Sequence, residues 1–160
     1  MSFLFYIFSR ITFLLLSSLH IVTGKRVPLL VGVNVIICDE KGNFLVQKRS
    51  DGQGFCFIGG VTRAGESLEK NIQREVKEET GLLLKDPKLL FIIDALKEFP
   101  FFLTVVFEGN VKGKKIKASW EGEIMWLPYD SFKGKMAFGS DRIVECFVLE
   151  QRPLKERKIS

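Results

Sequence analysis

Three glutamates stand close together on a stretch of the chain that reads as a helix. Glu75, Glu78 and Glu79 are spaced i, i+3 and i+4, so their carboxylates share one helix face. Like charges at this spacing repel one another, and carboxylates buried without a partner are costly. A hard divalent cation with oxygen ligands would stabilise such a cluster. The spacing therefore predicts a metal site, to which backbone carbonyls around Gly59 and Gly60 could contribute.

The helix that carries these glutamates has recognisable ends. Ser67 is a favourable N-cap residue, and Gly81 stands where a left-handed C-cap is expected. The glycine-rich stretch 59–65 before the helix is predicted to be a loop. A helical wheel places Glu75 and Glu79 near the inward, apolar stripe. The opposite side, which we expect to face solvent, carries Glu69, Lys70, Gln73, Lys77 and Thr80.

One arginine lies among the acids. Arg74 stands four residues before Glu78 and can reach back toward Glu66. A single guanidinium cannot neutralise four carboxylates, so a cation is still required. The only histidine of the chain is His20, which belongs to a hydrophobic N-terminal stretch. Carboxylates must therefore supply both metal binding and proton transfer.

The spacing of the whole stretch resembles the Nudix box. Gly60, Glu66 and the run 74–82 match every defining position, and the chain from 26 to 152 resembles the rest of a MutT-like Nudix domain. The resemblance implies an α/β fold, with a mixed β-sheet sandwiched between helices in an α/β/α arrangement. It also implies a hydrolase, dependent on Mg²⁺ or Mn²⁺, that cleaves the diphosphate linkage between a nucleoside diphosphate, or a similar group, and another moiety.

The resemblance also suggests roles for individual residues. The expected metal ligands are Gly59, Glu75, Glu78 and Glu79. The expected catalytic residues are Glu66, Arg74, Glu75 and Glu78. Either Glu78 or Glu75 would accept the proton of the attacking water, while Arg74 orients the carboxylates. The expected substrate contacts are Lys48, Arg49, Phe55 and Gly60. Family members often carry a further acid after the box, for which Glu123 is the better candidate and Glu121 the lesser one.

Other runs of the chain predict the elements that would position these residues. Apolar and β-branched runs predict strands at 27–38, 44–49, 55–58, 88–96, 99–108 and 121–127. A short helix is expected at 129–132, followed by a last helix that Ser140 caps. The three cysteines show no paired or metal-like spacing, which is typical of a reducing compartment.

Length and charge define the expected organisation. With 160 residues the chain has the length of one domain, which we place at 25–152 between a hydrophobic segment at 1–24 and a basic tail at 153–160. The net charge of +5 favours anionic partners but also suits plain solubility. We expect the substrate to be a small-molecule diphosphate, namely a nucleotide. We expect no specific binding of nucleic acid. The oligomeric state is left open.

Residues 2–23 are almost entirely apolar and long enough to cross a bilayer as a helix. Arg10 near the middle weakens that interpretation. Four alternatives stay open: a spanning anchor, an interfacial helix, a cleaved signal, and a docked core element or overextended translation start. If the segment spans, Lys25 and Arg26 favour a catalytic domain that faces the cytoplasm. The alternative location is a soluble cytoplasmic protein.

Two other functions remain open at this point. A nucleotide-sensing module with weak catalysis is compatible with the family, although no box residue is missing. An RNA-directed, cap-type pyrophosphohydrolase is suggested only by the basic surface, including the lysines at 112, 114, 115 and 117.

Overall fold

The computed structural model of the chain describes residues 30–95, 102–113, 116, 121–137 and 140–151. The predicted hydrophobic segment at 1–24 and the basic tail at 153–160 lie outside these residues, as does the membrane association predicted for 2–23. Within the described ranges, no helix has the length and apolar character needed to cross a membrane.

Six strands and three helices make up the described part of the chain. The strands are β1 (Leu30–Ile36), β2 (Phe44–Arg49), β3 (Phe55–Val61), β4 (Leu83–Ala95), β5 (Phe102–Lys112) and β6 (Gly122–Leu127). The helices are α1 (Leu68–Thr80), α2 (Tyr129–Phe132) and α3 (Asp141–Gln151). All nine correspond to predicted elements, with shifted bounds for several strands.

The strands form one mixed sheet in the order β4-β5-β1-β3-β2-β6. β1 and β5 are parallel, while the other neighbouring pairs are antiparallel. The two central strands, β1 and β3, pair through Asn34 with Gly59 and through Val33 with Gly60. The glycines that precede the acidic helix therefore sit in the middle of the sheet.

The sheet has an apolar cluster on each face. On the face that packs against α1, here called the α1 face, the helix residues Ile72 and Val76 are buried together with Val33, Val35 and Ile58. On the opposite face, the α3 face, the buried residues include Phe44, Phe57, Val106, Phe132, Ile143 and Val144. Helices on both sides of a mixed sheet confirm the predicted α/β/α arrangement.

The prediction that the glycine stretch 59–65 is a loop was right for residues 62–65 and wrong for residues 59–61. β3 continues through Gly59 and Gly60 to Val61, because both glycines pair with β1. A Cβ atom on Gly59 would lie 2.0 Å from the carbonyl oxygen of Val33, so only glycine allows this close approach. Tertiary pairing thus overrides the weak strand propensity of glycine.

The predicted ends of α1 are confirmed. Ser67 Oγ accepts a hydrogen bond from the backbone N–H of Lys70, and Gly81 adopts φ 74° while its N–H donates to Lys77. The prediction that Thr80 faces solvent was wrong. Its hydroxyl is buried, donates to the carbonyl of Val76 at 2.6 Å and accepts from the N–H of Leu82 at 3.1 Å. Thr80 therefore helps to close the last turn against β4.

Candidate active site

Arg74 lies at the centre of the acidic cluster and contacts three carboxylates at once. Its Nε and Nη2 donate to Glu66 at 3.2 Å, and its Nη1 lies 2.8 Å from Glu75 Oε1. The same Nη1 donates to Glu78 Oε2 at 3.0 Å. Burial works against the charge, but hydrogen bonds and charges from these glutamates outweigh it and raise the pKa of Arg74. The guanidinium is thus fixed between the acids that the sequence singled out.

Glu79 is the buried carboxylate of the cluster, with 7% of its surface exposed. Burial raises its pKa to about 9, and the charges of Glu121 and Glu75 act in the same direction. A backbone hydrogen bond from Gly59 opposes this rise. The inward placement predicted for Glu79 is confirmed, and the fold gives this acid a strong tendency to hold a proton.

Gly60 and Glu75 meet where β3 passes under α1. A Cβ atom on Gly60 would lie 2.6 Å from the carboxylate carbon and from Oε1 of Glu75. Gly60 was predicted to contact substrate, and its contact in the structure is with this carboxylate. The missing side chain lets α1 bring Glu75 directly against the strand.

Lys48 and Glu123 lie on the α3 face, away from α1. They are cross-strand partners of β2 and β6, and both side chains are exposed. Val46 and Met125, which share this face, pack into the cluster around Phe132. The structure therefore does not bring Lys48 or Glu123 to the acidic cluster.

Phe55, a predicted substrate contact, is also on the α3 face. It pairs with Lys48 across β2 and β3, and its ring centroid lies 6.2 Å from that of Phe132. Its backbone N–H donates to the carbonyl of Lys135 at 2.9 Å. The contacts of Phe55 are those of a packing residue.

Glu121, rather than Glu123, is electrostatically coupled to the acidic cluster. Burial raises the pKa of Glu121, and the charge of Glu75 raises it further, whereas Arg49 lowers it. Glu121 in turn raises the pKa of Glu79. The preference for Glu123 missed this because Glu121 stands at a bend just before β6 begins at Gly122, where strand alternation no longer fixes the direction of a side chain.

Arg49 lies on the α1 face and is electrostatically coupled to this second acid. It stands opposite Gly122 in the ladder of β2 and β6, and its Nε donates to both carboxylate oxygens of Asp51 at 3.0 and 3.2 Å. Its charge also acts on Glu121 and on Cys56. Of the two predicted basic contacts, Arg49 is the one that the structure brings to the side of the cluster.

Gln47 and Cys56 form a polar pair on the same face. Cys56 Sγ donates to Gln47 Oε1 at 3.4 Å, while Gln47 Nε2 is buried without a hydrogen-bond partner among the described residues. Burial raises the pKa of the Cys56 thiol to about 11. The thiol therefore stays protonated near neutral pH, which argues against a nucleophilic role.

Asn71 and Arg63 are two neighbours of the cluster that sequence reasoning did not identify. Asn71 is buried, and its Nδ2 donates to Glu66 Oε2 at 2.9 Å. Arg63 Nη2 lies 3.4 Å from Glu78 Oε2. The spacing of five residues between Glu66 and Asn71 could have indicated the first contact. Nothing in the sequence indicated the second, because Arg63 lies before the helix.

The donor chemistry of the cluster suits a hard divalent cation. Among the described side chains, no three acids, cysteines or histidines already converge as a metal site, and Arg74 instead links Glu66, Glu75 and Glu78. Carboxylate and carbonyl oxygens are the ligands that Mg²⁺ and Mn²⁺ prefer. The close approach at Gly60 leaves one of these carboxylates, that of Glu75, against the strand. The residues present therefore fit such an ion.

Residues 28–147 match the family described as the NUDIX domain, and this stretch is most of the chain. The chain therefore belongs to the Nudix family, as the box predicted. It is a Nudix-type pyrophosphohydrolase, an enzyme of the class that acts on acid anhydrides.

Relatives of known name give the comparison more detail. An ADP-ribose pyrophosphatase of Methanocaldococcus jannaschii is 28% identical over 123 residues, which are 74% of this chain and 72% of that protein. An RNA pyrophosphohydrolase of Haemophilus influenzae is 38% identical over 60 residues, which are 38% of this chain and 31% of that protein. This chain thus spans less than a third of the second relative.

The fold is similar to that of solved Nudix structures. The crystal structure of a MutT protein from Methanosarcina mazei Go1 superposes with a TM-score of 0.64 and 28% sequence identity. The similarity covers 79% of this chain and 97% of that one. The match therefore spans nearly the whole of that MutT protein.

Proposed function

We propose that the chain hydrolyses the diphosphate linkage of a nucleoside diphosphate joined to another moiety, with ADP-ribose as the first compound to test. The observation that carries this proposal is the network in which Arg74 holds three carboxylates next to the buried Glu79. The choice of ADP-ribose is supported by the M. jannaschii relative, which aligns over most of both chains. The RNA pyrophosphohydrolase aligns over a much shorter stretch.

The proposal includes a divalent cation, Mg²⁺ or Mn²⁺. Its protein ligands would be the Gly59 carbonyl and the carboxylates of Glu75, Glu78 and Glu79. When bound, such an ion neutralises phosphate charge and lowers the pKa of a bound water. Glu79 would release its proton as it becomes a ligand, because ligating carboxylates are ionised.

The side chains around the cation have different roles in proton transfer and positioning. Glu78 is the more exposed carboxylate of the network, so it accepts the proton of the attacking water. Arg74 keeps its contacts with Glu66 and Glu75 when Glu78 turns toward the reaction. Glu66 is itself held by Asn71, which keeps the guanidinium in place. Glu121 is the further acid that can serve as a second proton acceptor.

The test is a hydrolysis screen of the full chain with Mg²⁺, with Mn²⁺ and with EDTA. The panel contains ADP-ribose, nucleotide sugars, dinucleotides, nucleoside triphosphates and RNA with a 5′-triphosphate. We expect metal-dependent cleavage of ADP-ribose to AMP and ribose 5-phosphate. Preferential release of pyrophosphate from RNA would favour the RNA-directed function, and tight nucleotide binding without turnover would favour a sensing module.

Glu78→Gln tests the residue assignment within the same screen. The amide cannot accept a proton, so we expect turnover to fall at least about 100-fold. The melting temperature should stay close to that of the unchanged chain, because Glu78 is exposed. Glu123→Gln is the matched control, since this glutamate is exposed on the α3 face, and should retain full activity. Retention of most activity by Glu78→Gln would refute the assigned role.

A further inference from the structure

Arg63 is an exposed cation at the edge of the acidic cluster. It lies between β3 and α1, its side chain is 62% exposed, and its Nη2 lies 3.4 Å from Glu78 Oε2. The same oxygen accepts a hydrogen bond from Arg74 Nη1 at 3.0 Å. Two guanidinium groups therefore share one carboxylate oxygen.

The two arginines are held very differently. Arg74 has Glu66 and Glu75 as further partners, and its Nε, Nη1 and Nη2 are all engaged. Within the described part of the chain, Arg63 has one ion-pair partner, Glu78. An ion pair this exposed and this long contributes little in water. If Glu78 turns to a cation, Arg74 stays fixed and Arg63 is released.

We infer that Arg63 binds a phosphate oxygen of the diphosphate substrate, and that its contact with Glu78 holds it at the site until a divalent cation takes that carboxylate. This inference rests on the proposed function and concerns the same site. A guanidinium suits the role because its planar fork matches phosphate oxygens. Arg74 has its donors engaged by carboxylates, and Lys48 lies on the other face of the sheet.

The inference predicts two opposite changes when Arg63 is removed. Loss of a phosphate contact weakens binding of the diphosphate. Loss of a cation that competes for Glu78 strengthens binding of the metal ion alone. A residue with a merely structural role would weaken both together.

The experiment measures both equilibria in the full chain without turnover. Binding of Mn²⁺ alone is followed by electron paramagnetic resonance. Binding of α,β-methylene-ADP, a diphosphate that cannot be cleaved at its bridge, is followed by calorimetry at saturating Mn²⁺. For Arg63→Ala we expect the Kd for Mn²⁺ to fall roughly threefold. We expect the Kd for the analogue to rise about tenfold, the effect of losing one charge-assisted contact.

Two further variants complete the set. Arg63→Lys keeps the positive charge but loses the planar guanidinium group. Mn²⁺ binding should therefore be unchanged, while the Kd for the analogue should rise roughly threefold. Arg142→Ala removes an exposed arginine on α3 and should change neither constant.

The inference is overturned if Arg63→Ala leaves the Kd for the analogue within about twofold. It is also overturned if that variant weakens Mn²⁺ and the analogue alike, or if the unchanged chain does not bind the analogue. Failure of the proposed function is a separate result, namely the absence of hydrolysis by the unchanged chain in the screen.

Discussion

Burial of Glu79 makes its protonation part of the stability of the fold. Its pKa is about 9 in the folded protein against an ordinary value of 4.5, with burial as the main cause. The folded protein therefore binds this proton more tightly than the unfolded chain does. The free energy of unfolding falls as the pH rises from the unfolded value toward the folded one. The pKa values of Asp39 and Asp51 are lowered from 3.8, so these acids titrate below that window.

We predict that the metal-free protein loses on the order of 3 kcal/mol of unfolding free energy between about pH 5 and about pH 8. Glu79→Gln removes this titration, so the variant should show a much flatter dependence. The measurement is urea denaturation in EDTA at a series of pH values. Glu69→Gln, an exposed acid on the same helix, is the control and should keep the decline. An unfolding free energy of the unchanged chain that rises over this range would contradict the prediction.

Between elements, the site depends on how closely α1 approaches β3. Gly60 has no side chain at the point where the carboxylate of Glu75 rests on the strand. Its backbone is not in the left-handed region, so alanine is acceptable to the backbone, and the three atoms nearest to an added Cβ all belong to the Glu75 carboxylate. The glycine thus serves the contact between two elements rather than a turn.

We predict that Gly60→Ala lowers the free energy of unfolding by about 1 to 3 kcal/mol and displaces Glu75, with loss of activity. In a Glu75→Ala background the obstruction is gone, so the same glycine substitution should cost much less. A double-mutant cycle by chemical denaturation measures the difference, expected to be at least about 1 kcal/mol. Equal costs in both backgrounds would show that the carboxylate is not the obstacle.

At the scale of the whole molecule, the sheet separates two basic side chains that are adjacent in sequence. Lys48 and Arg49 are consecutive residues of β2, but Lys48 points to the α3 face and Arg49 to the α1 face. Arg49 acts on Glu121 and Cys56, whereas Lys48 stands beside exposed Glu123. Substrate phosphates at the acidic cluster would therefore meet only one of the two cations.

We predict that Arg49→Ala lowers kcat/KM for the diphosphate substrate roughly tenfold, because a cation beside Glu121 is lost. Lys48→Ala should stay within about twofold of the unchanged chain, since an exposed charge on the far face adds little. Steady-state kinetics of both variants under identical metal conditions provide the comparison. A larger effect at Lys48 than at Arg49 would place the substrate on the α3 face.

The membrane association of the hydrophobic segment at 2–23 also concerns the molecule as a whole, and it stays a prediction. Carbonate washing of membranes from cells that produce the full chain separates the main alternatives. A spanning helix keeps the protein in the membrane pellet, while an interfacial helix releases it into the wash.

The local features of the site could be predicted from the sequence because they depend on short spacings. The ends of α1 at Ser67 and Gly81 follow from capping chemistry, and the inward side of Glu79 follows from the helical period. The complete box identified the family for the same reason, since its positions lie within one continuous stretch from Gly60 to Leu82.

What only the tertiary structure decided were the relations between distant segments. Glu121 lies at the bend before β6 and is coupled to the cluster, whereas Glu123 lies within β6 on the α3 face, and the spacing of the two acids does not tell which one meets the cluster. Pairing with β1 turned Gly59 and Gly60 from an expected loop into strand residues. The contact between Arg63 and Glu78 likewise depends on how the chain enters α1. These outcomes depend on packing between elements, which residue type and spacing alone do not determine.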